Sequence, residues 1–146
     1  CIGDIIGSVY EFQAWKSREF PLFSEKSEFT DDTVCTIAVA ESLLDGADPA
    51  ISLRKWGLRY PGRGYGGSYA VWLKNPKMGP YNSYGNGAAM RVSPAAWLGR
   101  SLVEALAFAK QVTEVTHNHP EGIKGAEATV TAIWLARQGE TPGRAM

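Results

Sequence analysis

The residues best suited to chemistry lie between Phe29 and Thr33, where two adjacent carboxylates are flanked by hydroxyl groups. An apolar pattern with helical spacing follows directly, so this cluster is predicted to lie at a helix N-terminus. A carboxylate there caps the helix, because exposed N–H groups and the helix dipole favour negative charge. Capping needs only one residue, however, and the adjacent charges of Asp31 and Asp32 would be relieved by a cation. The cluster is therefore either a simple cap or half of a site for Mg²⁺, Mn²⁺ or Ca²⁺.

A second polar group lies near the start of the chain, where Asp4, Ser8 and Glu11 are spaced by four and three residues. Isoleucine and valine at helical spacing predict a helix over residues 2–12, which places the three side chains on one face. Two glycines on this helix cost about 1 kcal/mol each relative to alanine, and we expect something to pack closely there. The polar stripe is either a solvated face or the wall of a cleft.

Two glycine-rich segments precede predicted helices. Residues 61–68 form a turn that can cradle a phosphate at a helix N-terminus. This turn is not a P-loop, because no Gly-Lys-Ser/Thr follows. Residues 82–91 contain Asn-Gly and Gly-Asn pairs, which predict a tight turn with positive φ. Its small residues would let a ligand approach the backbone, and an ordinary entry into a helix is the alternative.

The two histidines, His117 and His119, share one polar loop. No further histidine exists and the cysteines are distant in sequence, so a zinc site is disfavoured. A single histidine acting as a base or a stacking partner fits the pattern better. A thiol hydrolase using Cys35 with His117 is also disfavoured, because no electropositive setting for the thiol is evident.

The elements that position these residues all follow helical periodicity. No segment shows the alternation of a strand, and residues 13–29 are predicted to be a surface loop rich in aromatics. The sequence therefore predicts an all-α fold, a compact orthogonal helical bundle with functional loops at helix N-termini, in a single domain of residues 1–146. Beyond residues 2–12, helices are predicted over residues 33–45, 51–60, 69–73, 95–98, 102–112 (after a Ser101–Glu104 capping box) and from Pro120 until Gly139.

Composition narrows the function classes. The 146 residues are 45% hydrophobic and 21% charged, with zero formal net charge, which is typical of a soluble globular protein. Nucleic acid and membrane partners are not expected, because there is no excess positive charge and no apolar run of about 20 residues. Two cysteines and no signal-peptide pattern predict a cytoplasmic protein. The chain begins at Cys1 within a helix-like pattern, so we expect a trimmed chain or a fragment.

Four motifs occur in a fixed order along the chain: Gly-Asp-x-x-Gly-Ser-x-x-Glu (3–11), Phe-Thr-Asp-Asp-Thr (29–33), Tyr-Gly-Asn-Gly-Ala-Ala-Met-Arg (84–91) and Thr-His-x-His-Pro-Glu-Gly (116–122). Together they resemble the motifs of the ADP-ribosylglycohydrolase family, which includes dinitrogenase-reductase-activating glycohydrolases and ADP-ribosyl-acceptor hydrolases. The resemblance spans essentially the whole chain.

The resemblance implies an all-helical hydrolase with a magnesium or manganese pair in a cleft. It implies cleavage of the N- or O-glycosidic bond that joins ADP-ribose to a protein side chain or a small acceptor. Asp4 would give structural support. The implied site residues are Thr30, Asp31 and Asp32 as metal ligands, Glu11 with Asp31 and Asp32 as catalytic acidic residues, Ser83, Tyr84, Gly85, Asn86 and Gly87 around the ribose and diphosphate, and His117 near the nucleotide.

The sequence departs from the family pattern in one respect. The late Asp-x-Asp-Thr motif, which supplies further metal ligands, is absent, and no aspartate follows Asp48. The resemblance thus implies only one side of the metal site; the other side is supplied by a separate polypeptide or a partner subunit, or is simply absent, and without it a complete two-metal centre is not expected. The expected ligand is an ADP-ribosylated protein or small-molecule ADP-ribose. A non-catalytic ADP-ribose-binding module, or a structural one like the crystallin relatives of the family, is the alternative.

Overall fold

A computed structural model describes residues 1–12 and 15–139. Within these residues the chain is all-α and contains no strand, which confirms the predicted fold class. The first two residues of the predicted 13–29 loop and the last seven of the predicted domain lie outside the described residues. The helices are α1 (Ile2–Gly7), α2 (Asp31–Asp45), α3 (Pro49–Arg59), α4 (Gly67–Lys74), a short 3₁₀ helix (Ala89–Arg91), α5 (Ser93–Leu98), α6 (Leu102–Glu114) and α7 (Pro120–Arg137).

The core lies between α2, α5, α6 and α7. Helix α2 packs on α3 and α5, while α5 also contacts α6 and α7. Small side chains allow these helices to approach closely, and Gly99 shows how tight the packing is. A Cβ added there would lie 2.7 Å from the backbone of Ala105. The helices that bear the candidate loops are therefore held by a rigid interior. No helix of the described residues is both long and apolar enough to cross a bilayer.

Local signals fixed the ends of α2 correctly. The hydroxyl of Thr30 accepts from the backbone N–H of Asp32 as the N-cap, and Gly46 ends the helix with φ 64°. Helical spacing predicts an apolar face of Val34, Ile37, Ala38 and Leu44, and this is wrong in part, because Ile37 and Leu44 are exposed. The contacts with α3 and α5 instead select a buried stripe rotated by about one residue: Val34, Cys35, Ala38, Val39 and Ser42.

Helix α1 is shorter than the helix predicted over residues 2–12. It ends at Gly7 and not at residue 12, and turns follow. Ser8, the first residue after the helix, donates its hydroxyl hydrogen to the carbonyl of Ile5. No residue of α1 is buried and Ile2 is 70% exposed, so its apolar side does not face the core. The close packing expected at Gly3 is also wrong, since a Cβ there would meet nothing within 4 Å in the described part of the chain.

The remaining helices occur where the sequence predicted them, with ends shifted by at most two residues. Asp48 caps α3, and the Ser101 hydroxyl accepts from the N–H of Glu104 at the start of α6. The positive φ expected at the Asn-Gly pairs falls instead on Asn82, at 53°. Gly85 and Gly87 do not have positive φ angles, so the backbone conformation does not explain why glycine occurs at these two positions.

Candidate functional site

Asp4 connects α1 to the start of α2. Its carboxylate accepts hydrogen bonds from the backbone N–H and the hydroxyl of Thr30 at 2.9 and 2.5 Å. It also accepts from the N–H and the hydroxyl of Thr33 at 3.2 and 2.6 Å. The carboxylate thus provides an acceptor for two backbone N–H groups at the helix N-terminus, which have no partner within the helix. The structural role predicted for Asp4 matches these contacts.

The glycine-rich turn of residues 61–68 wraps around Asp31. The backbone N–H of Asp31 donates to the carbonyl of Arg63 at 2.7 Å. Gly64 has φ 89°, and a Cβ added there would lie 3.5 Å from Oδ1 of Asp31. The turn therefore comes close to the carboxylate without covering it.

Asp31 and Asp32 lie where the surrounding protein disfavours their negative charges. Burial raises the pKa of Asp31 to about 6, and the charges of Asp32, Glu11 and Asp4 add to the effect. Burial, followed by the charge of Asp4, also raises the pKa of Asp32. None of the four ion pairs among the described residues includes any of these carboxylates. A cation placed among them would therefore bind favourably.

The ligand atoms available near Asp31 are of the type that binds a hard divalent ion. Asp31 and Asp32 offer carboxylate oxygens, the ligands preferred by Mg²⁺ and Mn²⁺. Thr30 is already engaged, because its hydroxyl donates to Asp4 and accepts from the N–H of Asp32 at 3.4 Å. Across residues 1–12 and 15–139, no group of three or more His, Cys, Asp or Glu side chains could enclose a metal. This region thus offers suitable donors in an incomplete set.

One cavity of about 260 Å³ collects most of the predicted ligand residues. It brings together the start of α2, the start of α4, the loop after α4 and the segment before α7. These segments are far apart in the sequence, so their convergence is a tertiary feature. The predicted residues that line it are Asp31, Ser83, Gly85, Asn86, Gly87 and His117.

The other predicted site residues lie elsewhere. Thr30 and Glu11 share a separate groove of about 380 Å³, which Arg63 and Gly64 of the glycine-rich turn also line. Tyr84 is 74% exposed, and its ring lies 5.4 Å from that of His119, outside the cavity lining.

The loop of residues 81–87 is fastened to the start of α7. The N–H of Ser83 donates to the carbonyl of Thr116 at 3.4 Å, and that of Asn82 to Asn118 Oδ1 at 2.7 Å. Gly122 makes room for this contact, since a Cβ there would lie 2.8 Å from the Ser83 carbonyl oxygen. The third and fourth motifs of the sequence thus form one unit.

His117 is buried and neutral. Burial and the nearby charge of Arg91 lower its pKa to about 4. Its Nδ1 atom lies 2.8 Å from the Thr116 hydroxyl oxygen. His119 has a different task, because its Nδ1 accepts from the N–H of Glu121 and caps α7. These separate roles agree with the low expectation of a zinc site.

Sequence reasoning missed Arg91 as a site residue. The side chain is 1% exposed, lines the cavity and pairs with no carboxylate of the described residues. A lone arginine after Ala-Ala-Met was the available signal. Gly66, Gly67 and Ser68 also line the cavity.

Cys35 lies on the same cavity, but burial raises its pKa to about 11. The thiol therefore stays protonated near neutral pH, where it is a poor nucleophile. This argues against the thiol hydrolase alternative.

Comparison with known proteins identifies the family. The profile described as ADP-ribosylglycohydrolase matches residues 1–146. The chain is similar to the human ADP-ribosylhydrolase ARH3, with 31% identity over 96% of this chain and 48% of the human protein. It is 32% identical to the mouse protein of that name over 94% of this chain and 47% of the mouse protein. The chain thus spans about half the length of the curated relatives it matches. It belongs to the ADP-ribosylglycohydrolase family.

Proposed function

We propose that this chain supplies the ADP-ribose-binding half of a divalent-metal-dependent hydrolase. The reaction would cleave the glycosidic bond between ADP-ribose and a protein side chain or a small acceptor. The observation that carries the proposal is the single cavity shared by Asp31, the start of α4, the loop of residues 83–87 and His117. Membership of the family supplies the reaction class.

The cavity offers suitable contacts for the diphosphate and ribose. Gly66, Gly67 and Ser68 lie at the start of α4, where free N–H groups favour anions. The cavity of about 260 Å³ is slightly smaller than the roughly 300–1,000 Å³ of typical ligand sites. It would therefore hold part of an ADP-ribose molecule, with the remainder lying over Tyr84 and its neighbours.

The carboxylates would act where the glycosidic bond breaks. Asp31 and Asp32 would hold the metal ion, with Thr30 at its edge. When bound, a divalent ion would orient ribose hydroxyls and activate a water molecule. Glu11, near enough for its charge to raise the pKa of Asp31, would face the positive charge that develops on the ribose. Further metal ligands would come from another segment or a partner chain.

Calorimetric titration with Mg²⁺ and then ADP-ribose tests the proposal. We expect magnesium-dependent ADP-ribose binding, and its loss when Asp31→Ala and Asp32→Ala are combined. Asp45→Ala is the matched control, because it removes an exposed carboxylate from the opposite end of the same helix. Unchanged Mg²⁺ affinity in the double variant would contradict the metal assignment.

A second assay separates turnover from binding. If turnover occurs, with a partner chain if one is needed, Glu11→Gln should reduce it while leaving ADP-ribose binding intact. Full activity of that variant would remove Glu11 from the mechanism. Binding without turnover would favour the non-catalytic module instead. That alternative draws support from the incomplete metal-ligand set in the described part of the chain.

A further inference from the structure

We infer that Arg91 and Thr116 are positioning residues that fix His117 as the tautomer protonated on Nε2. His117 then serves the cavity as a hydrogen-bond donor and not as a proton acceptor. The nature of its ligand rests on the proposed function, whereas the tautomer does not.

The guanidinium of Arg91 is buried beside Thr116. Its Nη2 atom donates to the carbonyl of Val112 at 3.1 Å and to Oγ1 of Thr116 at 2.7 Å. Arginine has no acceptor atom, so the direction of both hydrogen bonds is fixed. Thr116 is therefore an acceptor towards Arg91, and its own hydrogen remains free to point elsewhere.

The hydroxyl of Thr116 is fully buried. Among the described residues its other polar neighbour is Nδ1 of His117, at 2.8 Å. If Nδ1 carried a hydrogen, the hydroxyl hydrogen would be left buried without an acceptor, which is unfavourable. The hydroxyl therefore donates to Nδ1, and the hydrogen of the neutral ring lies on Nε2.

Nε2 of His117 lies next to Gly87. A Cβ added at Gly87 would be 3.3 Å from Nε2 and 3.2 Å from Cε1, so this edge of the ring adjoins the ligand loop. Nε2 has no hydrogen-bond partner within residues 1–12 and 15–139. The ring of Tyr81, with its centroid 6.2 Å from that of His117, faces it from the loop. The free N–H is therefore available to an acceptor in the cavity.

Burial and the charge of Arg91 keep the ring of His117 neutral. Burial lowers the pKa of His117, and the nearby charge of Arg91 acts in the same direction, so the ring resists a second proton. The ring stays neutral at physiological pH, with its lone pair on Nδ1 occupied by Thr116. It can bind a diphosphate or ribose oxygen, while proton acceptance falls to the carboxylates.

Long-range ¹H–¹⁵N NMR of the histidine-labelled, ligand-free chain tests the tautomer directly. We expect His117 to show a protonated Nε2 and an accepting Nδ1. In Thr116→Val the population protonated on Nδ1 should rise, whereas Thr116→Ser should restore the original signals. His119 is the internal reference, because its Nδ1 accepts from a backbone N–H and should not respond.

ADP-ribose affinity provides the second readout. Thr116→Val should weaken binding by about tenfold, the loss expected for one oriented hydrogen bond, and Thr116→Ser should remain within about twofold of wild type. A wild-type His117 protonated on Nδ1 overturns the inference, even if Thr116→Val does not fold. So does a Thr116→Val variant with unchanged signals. Failure of ADP-ribose to bind a chain with the expected tautomer counts against the proposed function alone.

Discussion

Replacing Asp4 with alanine should destabilise the fold and weaken the metal site together. The carboxylate receives four hydrogen bonds from Thr30 and Thr33, and these join α1 to the N-terminus of α2. No apolar residue of α1 is buried, so Asp4 is its main attachment within the described residues. Without this side chain, the two backbone N–H groups and the two hydroxyls at the start of α2 lose their acceptor and must hydrogen-bond to water.

The expected loss follows from the type of contact. A helix N-cap contributes about 0.5–2 kcal/mol, and a hydrogen bond to an ionised partner about 1.5–3 kcal/mol. The four bonds share one partly exposed carboxylate, and water replaces the lost acceptor, so they do not add independently. We expect Asp4→Ala to lower the free energy of unfolding by about 2–3 kcal/mol.

Urea unfolding followed by circular dichroism measures this loss. With a typical dependence of about 1–3 kcal/mol per molar urea, the midpoint should fall by roughly 1 M. Asp48→Ala is the matched control, because the Asp48 side chain caps α3 by accepting a single hydrogen bond, from the N–H of Ala50 at 2.7 Å. A loss for Asp4→Ala no larger than that of Asp48→Ala would refute the reasoning.

Acid gives an independent check. Burial alone would raise the pKa of Asp4, but the hydrogen bonds from Thr30 and Thr33 outweigh it and hold the pKa below 3.8. The stabilisation is therefore complete above about pH 3.8 and is lost as the pH falls through the lower folded-state pKa. The difference between wild type and Asp4→Ala should narrow in that range. A difference that stays constant down to pH 2 would show that the charge of Asp4 does not matter.

The raised pKa of Asp31 and the contact of Gly87 with His117 give three further predictions. Mg²⁺ affinity should fall as the pH drops through about 6, because the ion must displace a proton from Asp31; equal affinities at pH 5 and 7.5 by calorimetry would contradict this. Asp31→Asn should raise the melting temperature of the metal-free chain at pH 7.5, since the ionised carboxylate is unfavourable there, and a lower value would argue otherwise. Gly87→Ala should weaken ADP-ribose binding by displacing the His117 ring, whose Cε1 would lie 3.2 Å from the new Cβ, while Gly125→Ala, on an open face of α7, should not.

The features that sequence predicted well are local ones. The helix start at residues 30–32, the Ser101–Glu104 start of α6 and the glycine stop at Gly46 each depend on residues within one turn of a helix end. Such signals need no knowledge of the rest of the chain. The order of the four motifs identified the family for a related reason, because each motif is a short, continuous stretch.

The features that sequence missed depend on packing between distant segments. Ile37 is apolar and correctly spaced, yet it is exposed because α3 and α5 cover a neighbouring stripe of α2. The burial of Arg91 was equally hidden, since its partners Val112 and Thr116 lie more than 20 residues away. Only the fold shows that one cavity joins Asp31 to His117.

The carboxylates at the start of α2 divide into two kinds by the hydrogen bonds they receive. Asp4 has four donors and a lowered pKa, so its charge is already satisfied by the protein. Asp31 adjoins it at the same helix end, but burial and like charges raise its pKa to about 6. Groups whose pKa values are driven apart in one site usually perform different tasks. Asp4 therefore holds the helix end in place, whereas Asp31 is ionised near neutral pH only at a free-energy cost that a bound cation would recover.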